Sequence, residues 1–136
     1  MMNKKYIGRI VFHWLIPSVA VLFGIMTIIS GGSVLFGDQA ALEAAGDVVP
    51  FVLWFNFAAG FIYIIAGIAL ALRKPWSAWL SLIIAATTLL VFAALGIHIF
   101  SEGAYETRTV AAMTLRSTVW TAIFILTYRQ LIRREV

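Results

Sequence analysis

The chain has 136 residues, of which 62% are hydrophobic and 12% charged, with a formal net charge of +4 and no cysteine. A soluble domain is roughly half apolar and about a quarter charged; this composition, gathered into four long apolar runs, points instead to one integral membrane domain over residues 1–136. The absence of cysteine excludes disulfides, thiolate metal sites, iron–sulfur clusters, c-type haem attachment and thiol catalysis.

The first run, Ile10–Ile29, follows Lys4, Lys5 and Arg9. It is longer than the roughly 7–15 apolar residues of a signal peptide and is expected to persist as a helix. The segment Ser30–Pro50 reads as a loop. Within it Asp38 offers an N-cap, and the alanine-rich stretch to Ala45 stops before Gly46, which predicts a short helix on the outer surface. The second run, Phe51–Leu72, is closed by Pro75, which makes a tight turn into the third, Ala78–Phe100. A polar segment from His98 to Thr109, with Gly103 expected to make the turn, leads to the fourth, Val110–Tyr128. Each run is close to the roughly 20 residues needed to cross about 30 Å of hydrocarbon.

Charge separates the two sides. Lys4, Lys5, Arg9, Arg73, Lys74, Arg129, Arg133 and Arg134 fall on one side with Glu135, whereas Asp38, Glu43, Asp47, Glu102, Glu106 and Arg108 fall on the other. The positive-inside rule then places both termini in the cytoplasm, in what reads as a bacterial cytoplasmic membrane. Aromatic residues at the run ends, Tyr6, Trp14, Trp76, Trp79 and Tyr128 inside, Trp54 and Tyr105 outside, mark the same boundaries. The basic flanks serve topology and contact with the lipid bilayer, not nucleic acid.

Helices in lipid meet through small residues and hidden polar groups, and every run carries such a stripe. These are His13, Pro17, Ala20, Gly24, Thr27 and Gly31 in the first; Asn56, Gly60, Tyr63, Gly67 and Leu70 in the second. The third offers Ser81, Ile84, Thr88, Val91, Leu95, His98 and Glu102, and the fourth Thr109, Met113, Arg116, Trp120, Ile123 and Thr127. A spacing averaging 3.5 predicts a left-handed, antiparallel bundle of four transmembrane helices.

Arg116 is the most informative residue, since an arginine inside a span costs about 2.5–3.5 kcal/mol on insertion scales and marks a functional site by default. Counted from Val110 it lies about 9 Å inside the membrane, near the depth of Asn56. It is expected to face inward and pair with Glu102, Glu106, Asn56 or His98, beneath a rim formed by Tyr105, Glu106 and Arg108. The competing role is a strut that locks the bundle. Glu102, Glu106 and His98 also offer weak acid–base or cation-ligating possibilities, though ordinary solvated charge explains them as well. His13 invites axial ligation of haem b, a quinone contact or a proton path. It lies roughly 20 Å from His98 along the membrane normal, however, so the two do not share one metal within a chain. Pro17, by removing the N–H that would pair with the His13 carbonyl, predicts a polar, kinked patch there.

No span contains Asp or Glu, so the membrane carboxylate of a proton-coupled small multidrug transporter is missing, and no catalytic motif stands out. Gly60 to Gly67, followed by Arg73 and a third apolar helix, resembles small four-helix membrane proteins of the DoxX type over the second and third spans, with no residue role implied. The sequence is read first as a binding or accessory subunit of a larger membrane complex or homo-oligomer, with a site around Arg116. The alternatives are a redox subunit holding haem b or a quinone through His13 or His98, and an oligomeric small-molecule transporter or channel.

Overall fold

Four long helices dominate the computed structural model, which describes the backbone of residues 4–37 and 39–132 and side chains within 13–37 and 39–130. They are α1 (Lys4–Phe36), α3 (Pro50–Ala71), α4 (Trp76–Phe100) and α5 (Thr107–Thr127), with a short α2 (Gln39–Ala45) between the first two and a π-helical turn, Tyr128–Ile132, after the last. All four are long and apolar enough to cross a membrane, and no strand occurs among the described residues. The capping role expected of Asp38, and the charges of Arg133, Arg134 and Glu135, lie outside the described residues.

The inward stripes read from the sequence are buried or half-buried in every helix, Glu102 excepted. The α1–α3 and α4–α5 pairs pack most extensively, and α3 joins them through α4. Between α1 and α3 the backbones themselves approach. A methyl group on Gly24 would lie 2.6 Å from the Gly60 carbonyl oxygen, and one on Gly67 would lie 2.6 Å from the Val21 side chain. Where hydrocarbon tails offer no hydrophobic drive for association, such close packing holds helices together.

The first helix runs further than its sequence suggests. Ser30-Gly31-Gly32-Ser33 reads as a breaker, yet α1 continues unbroken to Phe36. Phe36 packs edge-on against Trp54 and Phe57, at 6.1 and 5.7 Å, and a methyl group on Gly31 would lie 3.3 Å from the Phe57 Cβ. Tertiary packing thus overrides a weak local propensity. Pro17 likewise sits inside α1 without ending it.

The turns that end α3 and α4 are Schellman motifs built on residues other than glycine. Arg73 and Glu102 adopt left-handed backbone conformations, with φ of 56° and 63°. Around them Lys74 N–H reaches the Ala69 carbonyl and Gly103 N–H the His98 carbonyl, at 3.0 and 2.9 Å. These bonds satisfy carbonyls that the helix ends would leave exposed. Glu102, not Gly103, therefore makes the turn after α4. Gly103 is needed for a different reason: any side chain there would strike the His98 ring.

Two apolar clusters fill the bundle. One, around Val49, Val52, Leu95 and Met113, lies toward the end that carries α2. The other, around Tyr63, Leu70, Ile84, Trp120 and Ile123, fills the rest. On α3 Asn56 falls between them, and on α5 Arg116 does, so a polar layer divides the core.

Candidate functional site

Nine residues separate Arg116 from the start of α5, and nine separate Thr27 from the end of α1; at 1.5 Å per residue both lie about 14 Å inside the bundle. That is deeper than the sequence count, because α5 begins at Thr107 and not at Val110. Arg116 Nη1 donates to Thr27 Oγ1 at 2.8 Å, and its Cζ lies 5.4 Å from the centre of the Phe23 ring and 6.0 Å from that of Tyr63. Its buried Nε has no hydrogen-bond partner. The expected pairing with Glu102, Glu106, Asn56 or His98 gives way to a neutral hydroxyl and two aromatic faces. A cation so placed keeps most of its hydrogen-bonding capacity uncommitted.

Arg116 lines a cavity of about 380 Å³ between α1, α3 and α5. Thr27, Ser30 and Asn56 share its wall with Arg116, and the buried Asn56 Oδ1 has no partner. Ala41, Ala44 and Ala45 of α2 form its roof. Their small side chains let a helix lie across the opening without filling it.

Two charged residues at the start of α5 fasten that roof. Arg108 Nη2 donates to the Ala44 and Ala45 carbonyls at 3.2 and 3.1 Å, capping the C-terminus of α2 with a cation, which suits the helix dipole. Glu106 Oε1 accepts from the Asp47 N–H at 2.9 Å. Gly46 between them has φ of +74°, and a side chain there would collide with the Glu106 carboxylate. Glu106 and Arg108 face the cavity as well, so both latch residues also belong to its rim.

Of the residues singled out in the sequence, Arg116, Asn56, Glu106 and Arg108 meet at this cavity; His98, Glu102 and Tyr105 are not among its lining. His98 Nε2 donates to the Ala104 carbonyl at 2.9 Å, and its ring meets Phe51 edge-on at 6.1 Å. It braces the α4–α5 loop. Glu102 and Tyr105 are exposed on that loop. His13 belongs to the far end of α1, its ring edge-on to Trp14 at 4.8 Å and its buried Nδ1 unpartnered. Fourteen residues separate it from Thr27 along α1, so it stands about 21 Å from the Arg116 layer. Among the described residues no group of His, Asp or Glu gathers to hold a metal ion.

Thr27, Ser30 and the α2 alanines were missed as site residues by sequence reasoning. Thr27 sat in the inward stripe of the first span, and that position was its only signal. Comparison with protein-family models, with curated proteins and with solved structures finds no match to this chain, so the cavity's own chemistry is what bears on its role.

Proposed function

We propose that the protein is a binding subunit of a bacterial cytoplasmic membrane, holding an anionic or carbonyl-bearing head group around Arg116 beneath α2 and serving a larger membrane complex or its own oligomer. The observation that carries this reading is an arginine about 14 Å inside the bundle that lines a 380 Å³ cavity and has a threonine hydroxyl as its hydrogen-bond partner. A strut would spend its guanidinium on a carboxylate or on backbone carbonyls. A receptor keeps it for a ligand, and the planar fork suits carboxylate, phosphate or paired carbonyl oxygens.

Native mass spectrometry of the protein from a nonionic detergent tests the reading with phosphatidylglycerol, oleate and a short-chain benzoquinone as probes. The wild type is expected to retain at least one of them, and Arg116→Gln to retain it at least tenfold less, since a charge-assisted hydrogen bond contributes about 1.5–3 kcal/mol. Equal retention of every probe by a folded Arg116→Gln protein overturns it.

The proposed orientation puts the α2 end outside and both termini in the cytoplasm, supported by Arg73 and Lys74 at one end against Glu43, Asp47, Glu102 and Glu106 at the other. Topology reporters fused at Gly46 and at the C-terminus are expected to report opposite sides. The same side at both positions defeats the assignment.

A further inference from the structure

A second cavity, of about 260 Å³, adjoins the first and shares Thr27, Ser30, Ala112 and Arg116 with it. Its remaining lining is apolar: Phe23, Met26 and Leu115. Arg116 therefore stands at a junction, with polar atoms of α1, α3 and α5 on one side and a slot of hydrocarbon side chains on the other. The slot runs between α1 and α5. These two helices touch chiefly through side chains, whereas α1–α3, α4–α5 and α3–α4 pack closely along their backbones.

The slot opens sideways. Met26 is 68% and Leu115 55% exposed, and both belong to stretches apolar enough to lie within the hydrocarbon. Their exposed faces are where acyl chains would lie. A ligand arriving from water needs only the α2 end of the cavity, and an apolar side opening at the depth of the cation does nothing for it. A ligand arriving from the bilayer needs that opening, with a cation at its inner end.

Building on the proposed head-group site, we infer that its ligand is a membrane amphiphile with an acidic head group, which reaches Arg116 sideways between α1 and α5 and leaves its chain in the slot lined by Phe23, Met26 and Leu115. The acidic head follows from electrostatics. A guanidinium whose hydrogen-bond partner among the described residues is a neutral hydroxyl gains most from an opposite charge, and the two rim charges offset one another, with Glu106 engaged on the Asp47 N–H and Arg108 on the Ala44 and Ala45 carbonyls. The chain follows from the slot's lining. Phosphatidylglycerol and a free fatty acid share this chemistry, as a phosphate or a carboxylate on an aliphatic tail.

Native mass spectrometry from a nonionic detergent separates the possibilities, with phosphatidylglycerol, oleate, phosphatidylcholine, a long-chain benzoquinone and glycerol 3-phosphate as probes. The wild type is expected to retain one equivalent of phosphatidylglycerol or of oleate, whichever is retained naming the source. Phosphatidylcholine and glycerol 3-phosphate are expected at least tenfold lower. Met26→Trp combined with Leu115→Trp, which narrows the slot without touching the polar cavity, should cut retention of the long-chain acid at least tenfold and leave glycerol 3-phosphate unchanged. Should that variant fail to fold, the ratio of long-chain acid to glycerol 3-phosphate in the wild type decides alone. Glycerol 3-phosphate held as tightly as the long-chain acids, with dependence on Arg116, overturns the sideways amphiphile and leaves the head-group site standing. Phosphatidylcholine or the quinone held as tightly overturns the acidic head. No retention of any probe overturns both readings.

Discussion

Replacing Arg116 with methionine is expected to leave the thermal stability of the unliganded protein within about 1 kcal/mol of the wild type. Breaking a buried ion pair typically costs about 3–5 kcal/mol because the surviving charge is left uncompensated. Among the described residues Arg116 has no such partner: its guanidinium meets the Thr27 hydroxyl and the faces of Phe23 and Tyr63. Against the roughly 2.5–3.5 kcal/mol that an arginine costs inside a span stand one charge-assisted hydrogen bond of about 1.5–3 kcal/mol and cation–π contacts of about 0.5–2 kcal/mol, so the two sides nearly cancel. Methionine keeps the length and packs its sulfur on the same rings, while the freed Thr27 hydroxyl can turn to a carbonyl of its own helix. Lysine should be less stable than either, since its compact, strongly hydrated charge is as costly in that layer and packs less well on the rings. Thermal unfolding in nonionic detergent, after removal of bound lipid, reads the effect. Adding a saturating acidic amphiphile should set the wild type clearly above the variant, because a ligand at a hundred times its Kd stabilises the wild type alone by about 2.7 kcal/mol. A loss of 3 kcal/mol or more in the lipid-free Arg116→Met protein defeats this account and reinstates a charged partner.

The sequence showed the helices plainly because membrane spans are written in composition and length, and because small and polar residues recurring every three or four positions mark the inward faces. Thr27, Gly60, Leu95 and Trp120 were all legible in that way. Helix ends were less so. The Ser-Gly-Gly-Ser stretch of α1 is helical through its contacts with α3, which no local pattern records, and Glu102 takes the left-handed turn position that Gly103 was expected to hold. The site followed the same division. That Arg116 faces inward could be read from periodicity, and its neighbourhood to Asn56 from a depth count. Its partner could not: Thr27 is an uncharged residue 89 positions away along the chain, and no local pattern marks its hydroxyl as the acceptor for Arg116. Neither could the roof, since Ala41, Ala44 and Ala45 show no functional chemistry until Arg108 and Glu106 are seen to fasten them from 60 or so positions away along the chain.

Trp120 should be the costliest position in the bundle to truncate. It is fully buried, lies one helical turn below Arg116 on the same face of α5, and stacks on Tyr63 with ring centres 4.9 Å apart. Tryptophan-to-alanine changes in cores cost about 3–5 kcal/mol through lost transfer energy and an unfilled cavity. In lipid or detergent the transfer part shrinks, because the surroundings are as apolar as the core, so Trp120→Ala is expected to lose about 3 kcal/mol, almost all of it packing. Trp120→Phe should lose only about 1 kcal/mol: it keeps the contact with Tyr63 and removes an indole N–H that has no partner in the core, whose burial carries its own penalty. Because Tyr63 also faces the Arg116 guanidinium, the loss should reach the site. Trp120→Ala is expected to retain less acidic amphiphile than the wild type, and Trp120→Phe to recover most of it. Combining Trp120→Ala with Tyr63→Ala should cost less than the two changes added, since each ring supports the other. Full additivity would separate them energetically and remove Trp120 from the support of the cation above it.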